Sequence, residues 1–263
     1  MIKGILFDKD GTLIDFHAIW VPTALELVNQ LVDKVKAVEN DHLKNDLLKS
    51  IGVEVECVSA DGILASGTTL DITHAFEGIL QKYGFVFRSS QSFLEWTGER
   101  LLALTKRYID HIQPAADLKQ LLKELTDRGF VLGVATADDY ETTILCLKKL
   151  KVEKYLGFIG TSDRYEKKPN PSMLEAFCKQ FQLKPWEVVV VGDTTVDLTF
   201  AKNAAAGLAI GVLSGASRRE HLEPLANITV QSVSDLITAD GMLVWNAFPY
   251  KSARVTNKEE EQS

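Results

Sequence analysis

Apolar residues change their spacing along the chain, and the changes mark out its parts. Ile5-Leu6-Phe7 is a short apolar run ending abruptly at charged residues, the pattern of a buried strand. From there to about residue 112 the spacing is helical. Val21, Leu25, Val28, Val32 and Val35 recur at three- and four-residue steps and predict one helix face, with Pro22 acceptable in the first turn. Leu43, Leu47, Leu48 and Ile51 predict a shorter helix stopped at Gly52, while 53–67 has no period and contains the turn signal Asp61-Gly62. Thr68-Thr69-Leu70-Asp71 has the form of a capping box opening a third helix through Ile72, Phe76, Ile79, Leu80 and Tyr83 to Gly84. A fourth stripe runs from Phe93 through Thr97, Leu101, Leu104 and Tyr108 to Ile112. Four consecutive helices without strands predict a small helical bundle over 16–113, with hinges near Asp15–His17 and Gln113–Pro114.

Beyond residue 114 the rhythm alternates. Helices are predicted over 118–125, 141–150, 171–181 and 196–206, and strands over 131–135, 156–160, 188–191 and 208–212. Strands rich in Val, Ile and Ala between helices imply a parallel sheet covered on both faces. Residues 2–7 must join that sheet, because one strand cannot bury its own faces. The reading is therefore an α/β protein: a Rossmann-like parallel sheet in 1–15 and 114–240, a helical insertion in 16–113 and a disordered tail over 251–263. Trp245, Phe248 and Tyr250 form an apolar cluster before that tail, expected to pack back onto the sheet rather than to form a dimer contact.

Composition narrows the function classes. A length of 263 residues, 46% hydrophobic and 25% charged, suits a soluble globular protein, and no apolar run approaches the ~20 residues of a membrane span. The net charge of −7 argues against a nucleic-acid partner, so an anionic substrate needs positive charge placed locally. The N-terminus lacks a secretory pattern. Cys57, Cys146 and Cys178 show no ligand spacing and are expected to be buried thiols of a cytoplasmic protein. Oligomeric state stays open.

Four polar clusters fall at predicted strand ends or just beyond them, where open α/β sheets bind ligands: Asp8 and Asp10; Thr136; Lys168 in Lys168-Pro169-Asn170-Pro171; and Asp193 with Asp197 in Gly192-Asp193-Thr194-Thr195-Val196-Asp197. Each has a plain alternative. The aspartates with Gly11 could form a turn, Thr136 an N-cap, Lys168 a solvated side chain, and Asp193 and Asp197 a cap and an exposed helix face. Two carboxylates as close as Asp8 and Asp10 otherwise repel, which predicts a cation or a shared proton.

In this order the four pieces resemble the haloacid dehalogenase-like hydrolase superfamily, over roughly residues 1–213. The helical insertion resembles the cap domain of its phosphoglycolate phosphatase and β-phosphoglucomutase branch. The resemblance implies that Asp8 is a nucleophile forming an aspartyl-phosphate and Asp10 a general acid and base whose backbone carbonyl also binds metal. It implies that Thr136 holds a phosphoryl oxygen and Lys168 neutralises charge. Asp193, with Asp197 as ligand or support, would bind Mg²⁺, an ion that favours oxygen donors of this kind. The expected activity is Mg²⁺-dependent hydrolysis of a small phosphorylated metabolite, such as phosphoglycolate or a sugar phosphate. A phosphomutase and a non-catalytic binding module are the alternatives.

Lys9 is expected to point away from its flanking aspartates by strand alternation, in a structural or solvated role. Asp138 and Asp139 stand where relatives often carry Asn and Lys, which leaves recognition of the leaving group open. In the insertion, His17, Trp20 and the Ser66-Gly67-Thr68 turn are minor candidates for substrate contact.

Overall fold

A computed structural model describes residues 1–37, 40–54, 58–87 and 89–247. In chain order the helices are α1 (Phe16–Lys34), α2 (Asp41–Ser50), α3 (Ile63–Ser66), α4 (Thr69–Lys82), α5 (Ser90–Tyr108), α6 (Leu118–Asp127), α7 (Tyr140–Leu150), α8 (Ser172–Phe181), α9 (Thr195–Asn203), α10 (Arg219–Leu222) and α11 (Val244–Ala247). The strands are β1 (Gly4–Phe7), β2 (Val131–Ala135), β3 (Phe158–Gly160), β4 (Val188–Gly192), β5 (Leu208–Val212) and β6 (Ile228–Val230). They form one parallel sheet in the order β3-β2-β1-β4-β5-β6.

Alternation along β1 explains why the sheet is apolar on both sides. Ile5 and Phe7 face one layer, where they share a core with Leu122 and Leu125 of α6 and Leu147 of α7. Leu6 faces the other, against Phe177 of α8 and Leu198 and Phe200 of α9. The sheet is thus Rossmann-like, with helices on both faces. β1 is in register with both neighbours, Phe7 opposite Val134 and Val191. The residues following the three strands therefore emerge at one rim.

Helices α1–α5 lie between β1 and β2. α1 packs against α2 and α5, and α4 packs against the same two. The entering and leaving strands of this insertion are tied together, Asp15 N–H donating to Gln113 O at 2.9 Å and Ala115 N–H to Leu13 O at 2.9 Å. The Thr68 capping box forms as expected. The predicted face of α1 is partly realised: Val28 and Val32 are buried as expected, whereas Leu25 is exposed and Trp20, Ala24, Leu27 and Leu31 are buried beside them. Apolar residues nearly encircle that helix, so spacing alone admits more than one stripe.

The short elements α3, α10, α11 and β6 were not predicted, being three or four residues each and too short to show a period. β3 begins at Phe158 rather than 156, because Glu153–Tyr155 forms a 3₁₀ turn ahead of it. Cys146 and Cys178 are free and buried, whereas Cys57 lies outside the described residues. Trp245 packs edge-on against Phe130 at 5.9 Å, as expected of its cluster; Phe248, Tyr250 and the 251–263 tail lie outside the described residues. Among the described residues no helix is long and apolar enough to cross a membrane.

Phe76 is fully buried between the insertion helices. Replacing it with Ala is expected to cost about 3–5 kcal/mol. A urea midpoint unchanged from the parent protein would show that this core does not support the fold.

Candidate active site

β1 delivers Asp8 to the sheet rim, its N–H continuing the ladder to Val191 O at 2.8 Å. The chain then turns at Gly11, whose φ of +85° favours glycine. A Cβ there would lie 2.3 Å from Asp193 Oδ2, so the glycine also makes room for the acid that follows β4. Thr12 Oγ1 donates to Asp193 Oδ1 at 3.2 Å, and Ala216 N–H donates to Oδ2 at 2.8 Å. Lys168 is buried rather than solvated. Its ammonium donates to Asp8 Oδ1 at 2.6 Å and to Asp197 Oδ1 at 2.5 Å.

Asp197 belongs to the first turn of α9. Its Oδ2 accepts from the Thr194 N–H at 3.0 Å and the Thr194 hydroxyl at 2.6 Å, completing a capping box. It is thus a capping carboxylate and a member of the buried cluster, not an exposed helix face. One ligand atom from each of Asp8, Asp193 and Asp197 lies within 4.8 Å of the others.

This cluster is over-acidic. Burial, then the carboxylate of Asp197, raises Asp8 to about 7 despite Lys168 beside it. Burial, with Asp8 and Asp197 nearby, raises Asp193 well above the usual carboxylate range. Burial opposes the charge of Lys168, but Asp197 and Asp8 outweigh it and hold its pKa above the ordinary value. A buried site with more carboxylates than ammonium groups favours either retained protons or a bound cation. Three all-oxygen donors suit a hard divalent ion such as Mg²⁺, which takes one or two carboxylates and keeps water in its remaining positions.

Asp10 and Thr136 flank the cluster, and both line the cavity above Asp8. Thr136 is not the N-cap of α7, a position held by Asp139; its hydroxyl accepts from the Asp138 N–H at 3.1 Å.

Residues 2–205 match the hydrolase family described as haloacid dehalogenase-like hydrolase. The chain belongs to this family. It is 31% identical over 247 residues to a phosphoglycolate phosphatase of Vibrio vulnificus, covering 89% of this chain and 92% of the relative. It is 28% identical over 245 residues to the pyrophosphatase PpaX of Anoxybacillus flavithermus, covering 92% and 98%. The crystal structure of a phosphatase of the family from Thermococcus onnurineus shares the fold, with a TM-score of 0.63 at 20% identity over 89% of this chain and 96% of that one.

Two features of this hydrolase escaped the sequence reading. Lys9 does not turn away from its neighbours. β1 ends at Phe7, so strand alternation no longer governs residue 9, and the fully buried ammonium lies 3.0 Å from Asp10 Oδ2 and 2.5 Å from Asp138 Oδ2. It also sits 5.5 Å from the Trp20 ring centre. The second is the loop after β5. Ser214 Oγ donates to Gly11 O at 2.7 Å, and a Cβ on Gly215 would meet Asp193 Oδ2 at 1.9 Å. A Ser-Gly pair two residues past a predicted strand was the available signal. In the insertion, Trp20, Ser66 and Gly67 line the cavity, and His17 is exposed outside it.

The acidic cluster predicts a pH effect on the metal-free protein. The folded chain holds a proton on Asp8 up to about pH 7, whereas the ordinary carboxyl releases it near 3.8. Stability from this source is fully present below pH 3.8 and lost as pH rises through about 7. Urea midpoints should therefore fall between pH 5 and pH 8 without divalent ions, and Asp8→Asn should narrow the gap. An unchanged gap in that variant would assign the effect elsewhere.

Proposed function

We propose that this hydrolase is a Mg²⁺-dependent phosphatase of a small phosphorylated metabolite, working through an aspartyl-phosphate on Asp8. The observation that carries the reading is the ammonium of Lys168 2.6 Å from Asp8 Oδ1, inside a buried group of carboxylates with metal-ligand spacing. The named activities of the Vibrio and Anoxybacillus relatives, a phosphoglycolate phosphatase and a pyrophosphatase, support phosphoryl chemistry at this site.

In the first step an Asp8 carboxylate oxygen bonds to phosphorus as the ester P–O bond breaks. Asp10 gives its proton to the departing oxygen. In the second, Asp10 takes a proton from water, the resulting hydroxide attacks the aspartyl-phosphate, and Asp8 is regenerated with release of inorganic phosphate. The hydroxyl of Thr136 donates to a phosphoryl oxygen, and Lys168 offsets the negative charge gathered between Asp8 and the phosphoryl group. Asp8, Asp193 and Asp197, with the backbone carbonyl of Asp10, would hold Mg²⁺. When bound, the ion supplies further neutralisation of the phosphoryl charge. The cavity over Asp8 is walled by Trp20, Leu64 and Leu101 of the insertion opposite the sheet rim. Its helical wall limits water around the reacting group.

Phosphate release should require Mg²⁺ and vanish on chelation. Asp8→Asn should lose on the order of 10³-fold or more of the activity; full activity in that variant rules out Asp8 as nucleophile. The metal has a separate readout. Mg²⁺ at a hundred times its Kd should stabilise the protein by about 2.7 kcal/mol. Asp193→Asn should abolish the rise in melting temperature, and an identical rise in the variant would place the ion elsewhere.

A further inference from the structure

The cavity over Asp8 has two unlike sides. The rim of the sheet supplies Asp8, Lys168 and Thr136, all suited to a phosphoryl group. The side left for the rest of the substrate is built from the insertion, with Trp20, Leu64, Ser66, Thr69, Ile72 and Leu101. Among the described residues lining the cavity, the one cationic side chain is Lys168, already engaged by Asp8 and Asp197.

Lys9, which pairs with two residues lining the cavity, is committed too. It is fully buried beneath the cavity, bonded to Asp10 and Asp138, both of which line it. On the leaving-group side Lys9 is therefore already paired, and among the described residues no further cationic side chain lines the cavity. A second anion placed there would be buried without a cationic partner, which is costly. A hydroxyl placed there has partners. Asp138 presents a carboxylate as acceptor, and Ser66 and Thr69 present hydroxyl oxygens. Trp20, Leu64, Ile72 and Leu101 offer apolar surface to a carbon skeleton.

We infer that the preferred substrate is the monophosphate ester of a small, uncharged, hydroxyl-bearing alcohol, a polyol or sugar. Esters whose leaving group carries a carboxylate or a second phosphate are disfavoured. The inference rests on the phosphatase reading above and fixes which substrates within it are used. Selectivity comes from the leaving-group wall, since the phosphoryl half of the site treats all of these compounds alike.

The test compares kcat/KM with Mg²⁺ for glycerol phosphate, sugar monophosphates, phosphoglycolate and pyrophosphate, with p-nitrophenyl phosphate as a neutral reference. The best neutral polyol or sugar ester should exceed phosphoglycolate and pyrophosphate by at least about tenfold, one tenfold step being 1.36 kcal/mol in the barrier. Calorimetry on Asp8→Asn, which keeps the wall intact, should give the same order of affinities. Ser66→Arg adds a cation to the wall and should narrow or reverse the ratio in favour of phosphoglycolate. Preference of the parent protein for phosphoglycolate or pyrophosphate overturns the inference and leaves the phosphatase reading standing. Absence of phosphate release from every compound, p-nitrophenyl phosphate included, removes the phosphatase reading and the inference with it.

Discussion

A single ammonium group shared by two buried carboxylates, with a third close by, is the constraint around which this protein is arranged. Charges taken out of water cost several kcal/mol each unless geometry and hydrogen bonds offset the loss. The fold supplies those compensations one by one. Lys168 bridges Asp8 and Asp197, the N-terminus of α9 receives the other oxygen of Asp197, and Thr12 and Ala216 satisfy Asp193. Gly11 and Gly215 are part of the same solution, since a methyl group on either would occupy the place of the Asp193 carboxylate. What remains uncompensated is negative charge, the property that makes the cluster receptive to a cation.

The sheet order explains why these groups can meet. β1 is central, with β2 on one side and β4 on the other, so successive crossovers leave in opposite directions and open a crevice at the rim between β1 and β4. Asp8 and Asp193 border it. The helical insertion leaves from the same rim and returns to it. It is tied to the sheet layer by Thr69 Oγ1 donating to Asp139 Oδ2 at 2.7 Å, and by Lys167 reaching Asp71 at 2.6 and 2.8 Å. The lysine pair is half-exposed, and such pairs contribute about 0–1 kcal/mol. That pair therefore adds little, and the insertion shares one contiguous apolar core with the α6–α7 face of the sheet.

Much of this was legible because it rests on local pattern. Val188–Val191 reads as a strand buried on both faces, Thr68 and Asp71 as a capping box, and the four polar clusters as neighbours at strand ends. Side-chain direction was less legible where regular structure stops. Residues 9 and 10 follow the last ladder position of β1, so period-two alternation has no hold on them, and the short turn swings the ammonium of Lys9 toward Asp10 and Asp138. The face of α1 was ambiguous for the opposite reason: too many apolar positions satisfied the helical period. Ser214 to Ala216 gave little signal because their contribution is a backbone N–H, a hydroxyl and an absent side chain.

Lys9 links the sequence to selectivity more directly than the residues that resemble the family. A fully buried ammonium needs close oxygen partners, and its two, Asp10 and Asp138, come from the loops that follow the adjacent strands β1 and β2. The Asp138 carboxylate and the Lys9 ammonium thus form one buried unit. The pair sits under Trp20, with the ring held over the ammonium at 5.5 Å, and so joins the sheet rim to the first helix of the insertion. A cation used in this way cannot also receive a substrate anion. The interaction that anchors Asp10 beneath the insertion thereby decides which charges the cavity accepts above it.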